Sequence, residues 1–559
     1  VNRWQRYWWA EGGRLASAMV RIAIGAAVLL TLRKLAGSTS NGDLPGEHTL
    51  YRPVGIWMLL GHTPPPDALV SGLWVVAWAA TVAMVLGVRT RTATALSFVA
   101  AGALAALSYA AGKTWSHQYN VVFLAQLAFL GGRGGDALSL DAWLRRRRGL
   151  PARDVARGYQ WSLRLVQLAV ALMFFGAGCH KLMHGHGTLR WALSDNLRHH
   201  LLMAFDLAGL PRPVIADWVI REPWRYETAA MLNFVSQWMP MAAVFLVKRP
   251  RLRAAAGAFF VIEVVALCLV VDLWNTQWLP LYAVFVDWDA LWAWAHRRGT
   301  PTATPAPTGS RDSFTPRTGR AARWFVLAFV VYDTLIAFIP TLDQRLNTYP
   351  FSSFPMFSQL RVRAPYDEHL PYDVVADHFA VTGDAKVHVF AQRWFDHTNR
   401  GTHAIRDPER LRAKLAAIFG QADRRYPELG LRELRHEVTI FEAPAYPAPA
   451  HFEPHLLAVL GTYRKGGHFA TVLGEMTETD RGTLEVTLHP IGVDASRARL
   501  AYVVDDLPVL HDLPGTRTGD RFEVPRPEGD PLYVVALIRD EAGVETPWLV
   551  ASQAAWRWQ

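Results

Sequence analysis

At 559 residues the chain is too long for one ordinary soluble core, so at least two domains are expected. Hydrophobic residues make up 51% and tryptophan occurs 23 times, yet mean hydropathy is only +0.09, an average that fits a membrane half joined to a polar half. The net charge of +10 lies in short arginine clusters between apolar runs, which argues against a nucleic-acid partner, and the two cysteines, Cys179 and Cys268, both inside apolar runs, exclude a disulfide framework.

The chain opens with VNRWQRYWWAEGG, basic and aromatic without a small-residue cleavage site, so no removable signal peptide is expected. Apolar runs of bilayer-spanning length follow at about 17–36, 70–88, 92–111, 117–131, 160–182, 228–247, 254–272, 276–294 and 324–341, the fourth short and the eighth interrupted by Pro280. Arg3, Arg6 and Arg14 precede the first run, and Arg89 and Arg91 follow the second. Arg145 to Arg148, with Arg153 and Arg157, separate the fourth from the fifth. Lys248, Arg249, Arg251 and Arg253 follow the sixth, and Arg297, Arg298, Arg311, Arg317 and Arg320 follow the eighth. Strict alternation places every cluster on one side, which makes that side and the N-terminus cytoplasmic.

The pattern predicts an α-helical polytopic membrane bundle of about nine spans followed by a β-rich exoplasmic domain, integral to the plasma or inner membrane. The multi-span domain occupies 1–297, a flexible cytoplasmic linker containing TPTATPAPTGS 298–323, the last transmembrane helix 324–342, and the exoplasmic domain 343–559. The loop Lys113–His117 and the run ending in Lys181 then both emerge on the outer side. Segment 183–227, rich in leucine and aromatics, reads as amphipathic helices lying in the outer interface as a lid. TYPFSSFPMFS suits an interfacial collar. Alternation in KVHVFAQ, TLEVTLH and PLYVVALI predicts strands, arranged as a sandwich, and DPERLRAKLAAIFGQADRR predicts a helix with Asp407 as N-cap and Pro408 at its first position.

Four ionisable residues, Arg21, Glu263, Asp272 and Asp333, fall within apolar runs, where charges face a cavity or one another. Glu263, mid-run in FFVIEVVALCLV, is read either as a buried partner of Arg21 or Arg164 or as a cavity-lining group. The stretch ALMFFGAGCHKLMHGHGTLRW, Ala171 to Trp191, passes from an apolar helix to Lys181 with His180, His184 and His186 around it. Its lysine has two readings: an ammonium snorkelling to the headgroups, or an amine desolvated enough to act as a base. His180, His184, His186 and His199–His200 could ligate haem or a metal, but the GHG at 185–187 breaks the helix and no acidic or cysteine partner is spaced with them, so no metal site is assigned. His117, beside Trp115, Ser116 and Tyr119, either caps a neighbouring helix or lines a pocket.

Three stretches carry a family resemblance. LGVRTRTATALSFVAAGALAALSYAAGKTWSHQYNVVFLAQLAFLGGRGGDALSLDAWL, MFFGAGCHKLMHGHGTLRW and WNTQWLPLYAVFVDWD resemble, in order and spacing over about 15–295, the vitamin K-dependent γ-glutamyl carboxylases and their bacterial relatives, the horizontally transferred transmembrane domain family. The second stretch is similar to that family's Phe-x-Ala-Gly-x-x-Lys-Leu helix end with a trailing tryptophan. The resemblance implies that Lys181 is the base that deprotonates reduced vitamin K or a related quinol. Reaction with dioxygen then generates a strong base that takes the γ-proton of a peptidyl glutamate, to which carbon dioxide adds. It also places His117 in the quinone pocket, with Trp115, Ser116, Tyr119, His180 and Glu263 as candidate pocket residues.

The chain departs from the family at His180, where a second lysine is common, and at Trp115–Ser116, where an asparagine pair is usual. No propeptide- or glutamate-binding signature is recognised in 343–559. The expected partners are membrane lipid, a lipid-soluble quinol and a secreted peptide or protein substrate. The reading from a different class is a non-catalytic quinone- or lipid-binding membrane module that presents the β domain. A third, haem or metal electron transfer, predicts a visible absorption band.

Overall fold

The computed structural model describes residues 3–10, 12–39, 51, 53–61, 63–110, 117–151, 156–206, 211–296, 316–338, 362, 372–383, 387–390, 407–425, 427–504, 509–527, 531–540 and 543–552. Lys113, Trp115, Ser116, the linker at 300–310 and the collar at 348–358 lie outside them, as does the side chain of His117.

The N-terminal half is helical: α1 (Arg3–Trp8), α2 (Arg14–Thr39), α3 (Asp67–Leu86), α4 (Thr90–Ala110), α5 (Asn120–Phe129), α6 (Leu140–Arg147) and α7 (Ala156–His184). Next come α8 (Asn196–Phe205), α9 (Val214–Val219), α10 (Pro223–Phe245), α11 (Pro250–Val271), α12 (Trp288–His296) and α13 (Pro316–Phe338). Five of them, α2, α3, α4, α7 and α11, are long and apolar enough to cross a membrane, which marks an integral membrane protein by length and composition. Nine such helices are not shown among the described residues. The fourth run yields only the ten-residue α5, and the eighth divides into a 3-10 helix, Thr276–Phe285, and α12. Pro280 lies inside that 3-10 stretch, where it lacks the N–H a continuous α-helix requires.

Contacts sort the helix ends into two sets. At one end Arg21 of α2 donates through Nη1 to Gly134 O (2.5 Å) and through Nη2 to Leu138 O (2.5 Å) and Val85 O (3.3 Å). Arg253 Nε donates to Phe285 O (3.1 Å) and Tyr7 Oη to Val244 O (3.1 Å). Gly87 closes α3 there at φ +72°, and a Cβ on it would lie 2.7 Å from Arg21 Nη1 and 2.3 Å from Ser139 Cβ, so both backbone and space require glycine. At the other end Lys34 Nζ donates to Gln118 Oε1 (2.8 Å) and Trp274 O (3.0 Å), joining the end of α2 to the turns before α5 and after α11. One apolar core runs between the two ends through α2, α4, α5, α7 and α11.

Among the described residues the C-terminal part carries twelve strands: β1 (Tyr372–Thr382), β2 (Val387–Phe390), β3 (Glu433–Ala443), β4 (Glu453–Arg464), β5 (His468–Glu478), β6 (Leu484–Ile491), β7 (Arg499–Val504), β8 (His511–Asp512), β9 (Thr516–Thr518), β10 (Arg521–Val524), β11 (Pro531–Arg539) and β12 (Glu545–Ser552). The expected strands fall in β2, β6 and β11. The expected helix is α14 (Pro408–Arg425), capped by Asp407 Oδ1, which accepts from Glu409 N at 3.0 Å. Its Leu411, Leu415, Ile418 and Ala422 pack on Phe379, Val381 and Leu434.

The strands form one sheet in the order β8-β7-β11-β12-β4-β5-β6-β10-β9, with β1, β2 and β3 branching from β4, in place of the two separate sheets of a sandwich. One edge of β4 is shared by β12, at Trp548↔Val459, and by β5, at Thr462↔Ala470. The two arms therefore close on one core that contains Val472, Val486 and Phe522 from one and Val534 and Trp548 from the other.

The β domain sits on the lid. Phe441, Ala443 and Phe452 join the helical core, Arg198 Nη1 donates to Pro444 O (2.7 Å), and Tyr446 Oη donates to Glu222 Oε2 (3.2 Å). Arg212 donates to Ala450 O and pairs with Asp206 at 2.8 Å. This corrects the expectation for the lid: α8 is covered, with Arg198, His199, His200, Leu201, Leu202 and Phe205 buried. α9 keeps the exposed apolar face of an interfacial helix, at Val214, Ile215 and Trp218. Burial lowers Arg198 from the usual arginine range, and Asp195 counteracts that shift.

Candidate active site at the end of α7

α7 is built to be buried: Ala169, Val170, Ala171, Phe174 and Ala177 are all inaccessible. Lys181 follows Phe174 by seven residues, two turns farther along nearly the same face. Its side chain is 1% exposed, so its ammonium does not snorkel to a surface. Nζ instead donates to Asn233 Oδ1 and stands 4.0 Å from the centre of the Trp191 ring. Trp191 belongs to the lid's 3-10 turn, Leu189–Trp191, and packs on Ala230 of α10.

Asn233 Nδ2 donates in turn to Glu263 Oε1 (2.6 Å). The same oxygen accepts from Gln237 Nε2 (3.0 Å), and Ser236 Oγ donates to Glu263 Oε2. One amide therefore stands between a buried amine and a buried carboxylate, and three neutral donors satisfy the carboxylate. Such a pair adds no net charge to the core, which makes its burial tolerable.

The expectation that Glu263 pairs with Arg21 or Arg164 is not met. Arg21 ends on main-chain carbonyls and Arg164 Nη1 donates to Gln167 Oε1 (2.9 Å). Asn233, Ser236 and Gln237 were not singled out from sequence, although NFVSQW places them at i, i+3 and i+4 inside an apolar run, a polar stripe on one helical face.

His180, one residue before the lysine and so about 100° around the helix, turns to α13, where Nε2 meets Ala337 O at 3.0 Å. It is not brought to the ammonium. His184 Nδ1 pairs with His180 O at 2.8 Å. Among the described residues no three His, Cys, Asp or Glu side chains gather into a metal-holding group.

The backbone turn His117–Tyr119 lies at the same end of the bundle as Lys181. Gln118 O accepts from Trp278 Nε1 (2.6 Å), and the Trp278 ring meets Phe174 edge-on at 5.6 Å. Phe174 also meets Phe260, one turn from Glu263 on α11, at 5.1 Å. Tyr119 is buried, its ring 6.0 Å from Tyr109.

Aromatic rings flank the amine's helix as well: Trp238 stacks on Phe234 at 5.5 Å and meets Phe175 at 5.2 Å. A Cβ on Gly178 would lie 2.2 Å from Trp238 Nε1, so this close approach depends on glycine. On another flank of α11 an apolar groove of about 660 Å³ is lined by Ile215, Val261, Ile262, Val265, Leu269 and Tyr282, among others.

No protein-family model matches the chain, and no curated protein or solved structure matches it.

Proposed function

We propose that the chain is a membrane enzyme in which Lys181 takes a proton from a hydroxyl of a reduced, lipid-soluble quinone such as reduced vitamin K, for epoxidation by dioxygen, with or without coupled carboxylation of a peptidyl glutamate by carbon dioxide. The observation that carries the proposal is the cage around the amine: a buried lysine held by a neutral amide and an aromatic ring, with the nearest carboxylate one amide away. An ammonium locked directly to a carboxylate, or hydrated at a surface, gives up its proton reluctantly; this one is neither. Neutral Lys181 keeps two N–H donors, so its bond to Asn233 can persist while its lone pair is offered to the ligand. Glu263 balances the charge once the proton has arrived.

The quinol would supply the ring hydroxyls and the reducing electrons that dioxygen consumes on the way to epoxide and water. The aromatic surroundings Trp191, Phe234 and Trp238 fit a flat apolar ring, and the lid with the β domain above it keeps water out. In this reading His117 completes the pocket with Trp115, Ser116 and Tyr119. The helices form the nine-span topology with a cytoplasmic N-terminus, and the β domain is exoplasmic and free to meet a secreted peptide.

The test supplies reconstituted protein with reduced vitamin K and dioxygen and measures epoxide by chromatography. Unchanged epoxide yield in Lys181→Ala would falsify the role of the amine as base. Labelled bicarbonate appearing as acid-labile label in a glutamate peptide is the result expected if carboxylation is coupled.

The groove on α11 favours a second reading, a module that binds a quinone or lipid chain without turnover. Binding without epoxide in the wild-type protein would establish it.

A further inference from the structure

One oxygen of Gln237 is left without a partner among the described residues. As a carboxylate Glu263 can only accept, so it fixes the Gln237 amide with its N–H toward Oε1, at 3.0 Å. The amide oxygen must therefore face away. Gln237 is 0% exposed, and its Oε1 finds no donor among the described residues. Native folds leave few such acceptors unmatched, because an amide carbonyl removed from water without a partner is destabilising. Swapping the amide ends would satisfy nothing, since it would turn oxygen against carboxylate.

The position of this oxygen has a chemical reading. Gln237 lies four residues along α10 from Asn233, about 6 Å along the axis, and Asn233 holds the Lys181 amine. A flat ring with one hydroxyl at the amine and a second at the para position would span a comparable length.

We propose that Gln237 Oε1 accepts the second hydroxyl of a para-dihydroxy aromatic ligand and thereby makes the site selective for the reduced over the oxidised form of the ring. This rests on the quinol reading above and adds to it a residue that reads redox state. A quinone, or a quinone epoxide, carries only carbonyl oxygens at these positions and would set acceptor against acceptor at Gln237. Oxidation of the ligand thus removes the donor that the pocket requires, which favours release of the product and entry of fresh quinol.

The test is binding, kept separate from turnover by excluding oxygen. A short-tailed naphthohydroquinone, its dimethyl ether and the matching naphthoquinone are titrated into detergent-solubilised full-length protein, and tryptophan quenching is read. Wild type is expected to bind the hydroquinone at least tenfold more tightly than the ether or the quinone, and the hydrogen bond to Gln237 to account for about tenfold of that preference. Gln237→Leu and Gln237→Met are expected to lower the preference by about that factor while still binding the ring.

Equal affinity for hydroquinone and ether in wild type overturns the proposal even if neither variant folds. A preference that is undiminished in both variants also overturns it and leaves Oε1 as the seat of a buried water. Absence of any ring binding by wild type sinks the quinol reading and this inference together, so the two failures are told apart.

Discussion

The two ends of the helical bundle bury cations in opposite ways. At one end the Arg21 guanidinium places its Nη donors on the main-chain carbonyls of Val85, Gly134 and Leu138. Arginine does not release its proton in proteins, and carbonyls fixed by helix ends and turns do not move, so this cation is a brace. At the other end Lys181 has one side-chain amide and one aromatic ring as partners, and Asn233 shares its amide with Glu263. A lysine can lose its proton, and side-chain partners can rearrange around it. Burial alone therefore does not mark a functional cation; the kind of partner does.

Four experiments break or sharpen this contrast. Lys181→Met is expected to lower epoxide yield by about 10²–10⁴-fold, the usual contribution of a positioned base, while the protein still purifies as a folded species. Arg21→Met should do the reverse. It strips charged donors from four main-chain carbonyls and is expected to destabilise the bundle by about 3 kcal/mol or more in thermal unfolding in detergent. A loss below about 1 kcal/mol would show that Arg21 is no brace.

Arg212→Ala removes the paired contact to Asp206 and the bond to Ala450 O and is expected to weaken the lid by about 1–2 kcal/mol. Amide exchange should rise at 206–220 and 444–452 and stay constant in α7. A uniform rise would mean that the lid and the β domain do not form a separable clamp.

The smallest effect belongs to the β domain. The Ser496 backbone N–H, 2.9 Å from Asp494 Oδ1, holds that exposed carboxyl below the usual aspartate range. A carboxyl lowered in the fold adds stability above its unfolded value and loses it as pH falls through its folded one. The β domain should therefore weaken slightly below about pH 4, and Asp494→Asn should flatten that limb of an acid titration followed by fluorescence. An acid limb of the same steepness in the variant would reassign it to other carboxyls.

Much of the helical framework was legible residue by residue. Long runs of Ala, Val and Leu fixed where α2, α3, α4, α7 and α11 lie, and Asp407–Pro408 announced the start of α14, because these signals are sums over neighbours in the chain. The eighth run was the ambiguous one for the same reason. Hydropathy averages over Pro280, whereas the backbone cannot. The lid misled because α8 packs on α10 and Arg198 and Arg212 bond the main chain of a loop, 444–452, more than 200 residues away, neither of which composition reveals.

The sequence by itself determined that an amine would end an apolar helix beside a trailing tryptophan, and that a carboxylate would sit mid-way along another. Only the tertiary structure decided that Asn233 stands between Lys181 and Glu263, that His180 turns to α13, and that the Gln237 oxygen has no donor among the described residues. The physical reason is one of range. Hydropathy and charge are properties of a segment, but in a low-dielectric core each polar group must find its partner on whichever helix packing brings near, and that neighbour is 52 residues away for Lys181 and 30 for Asn233.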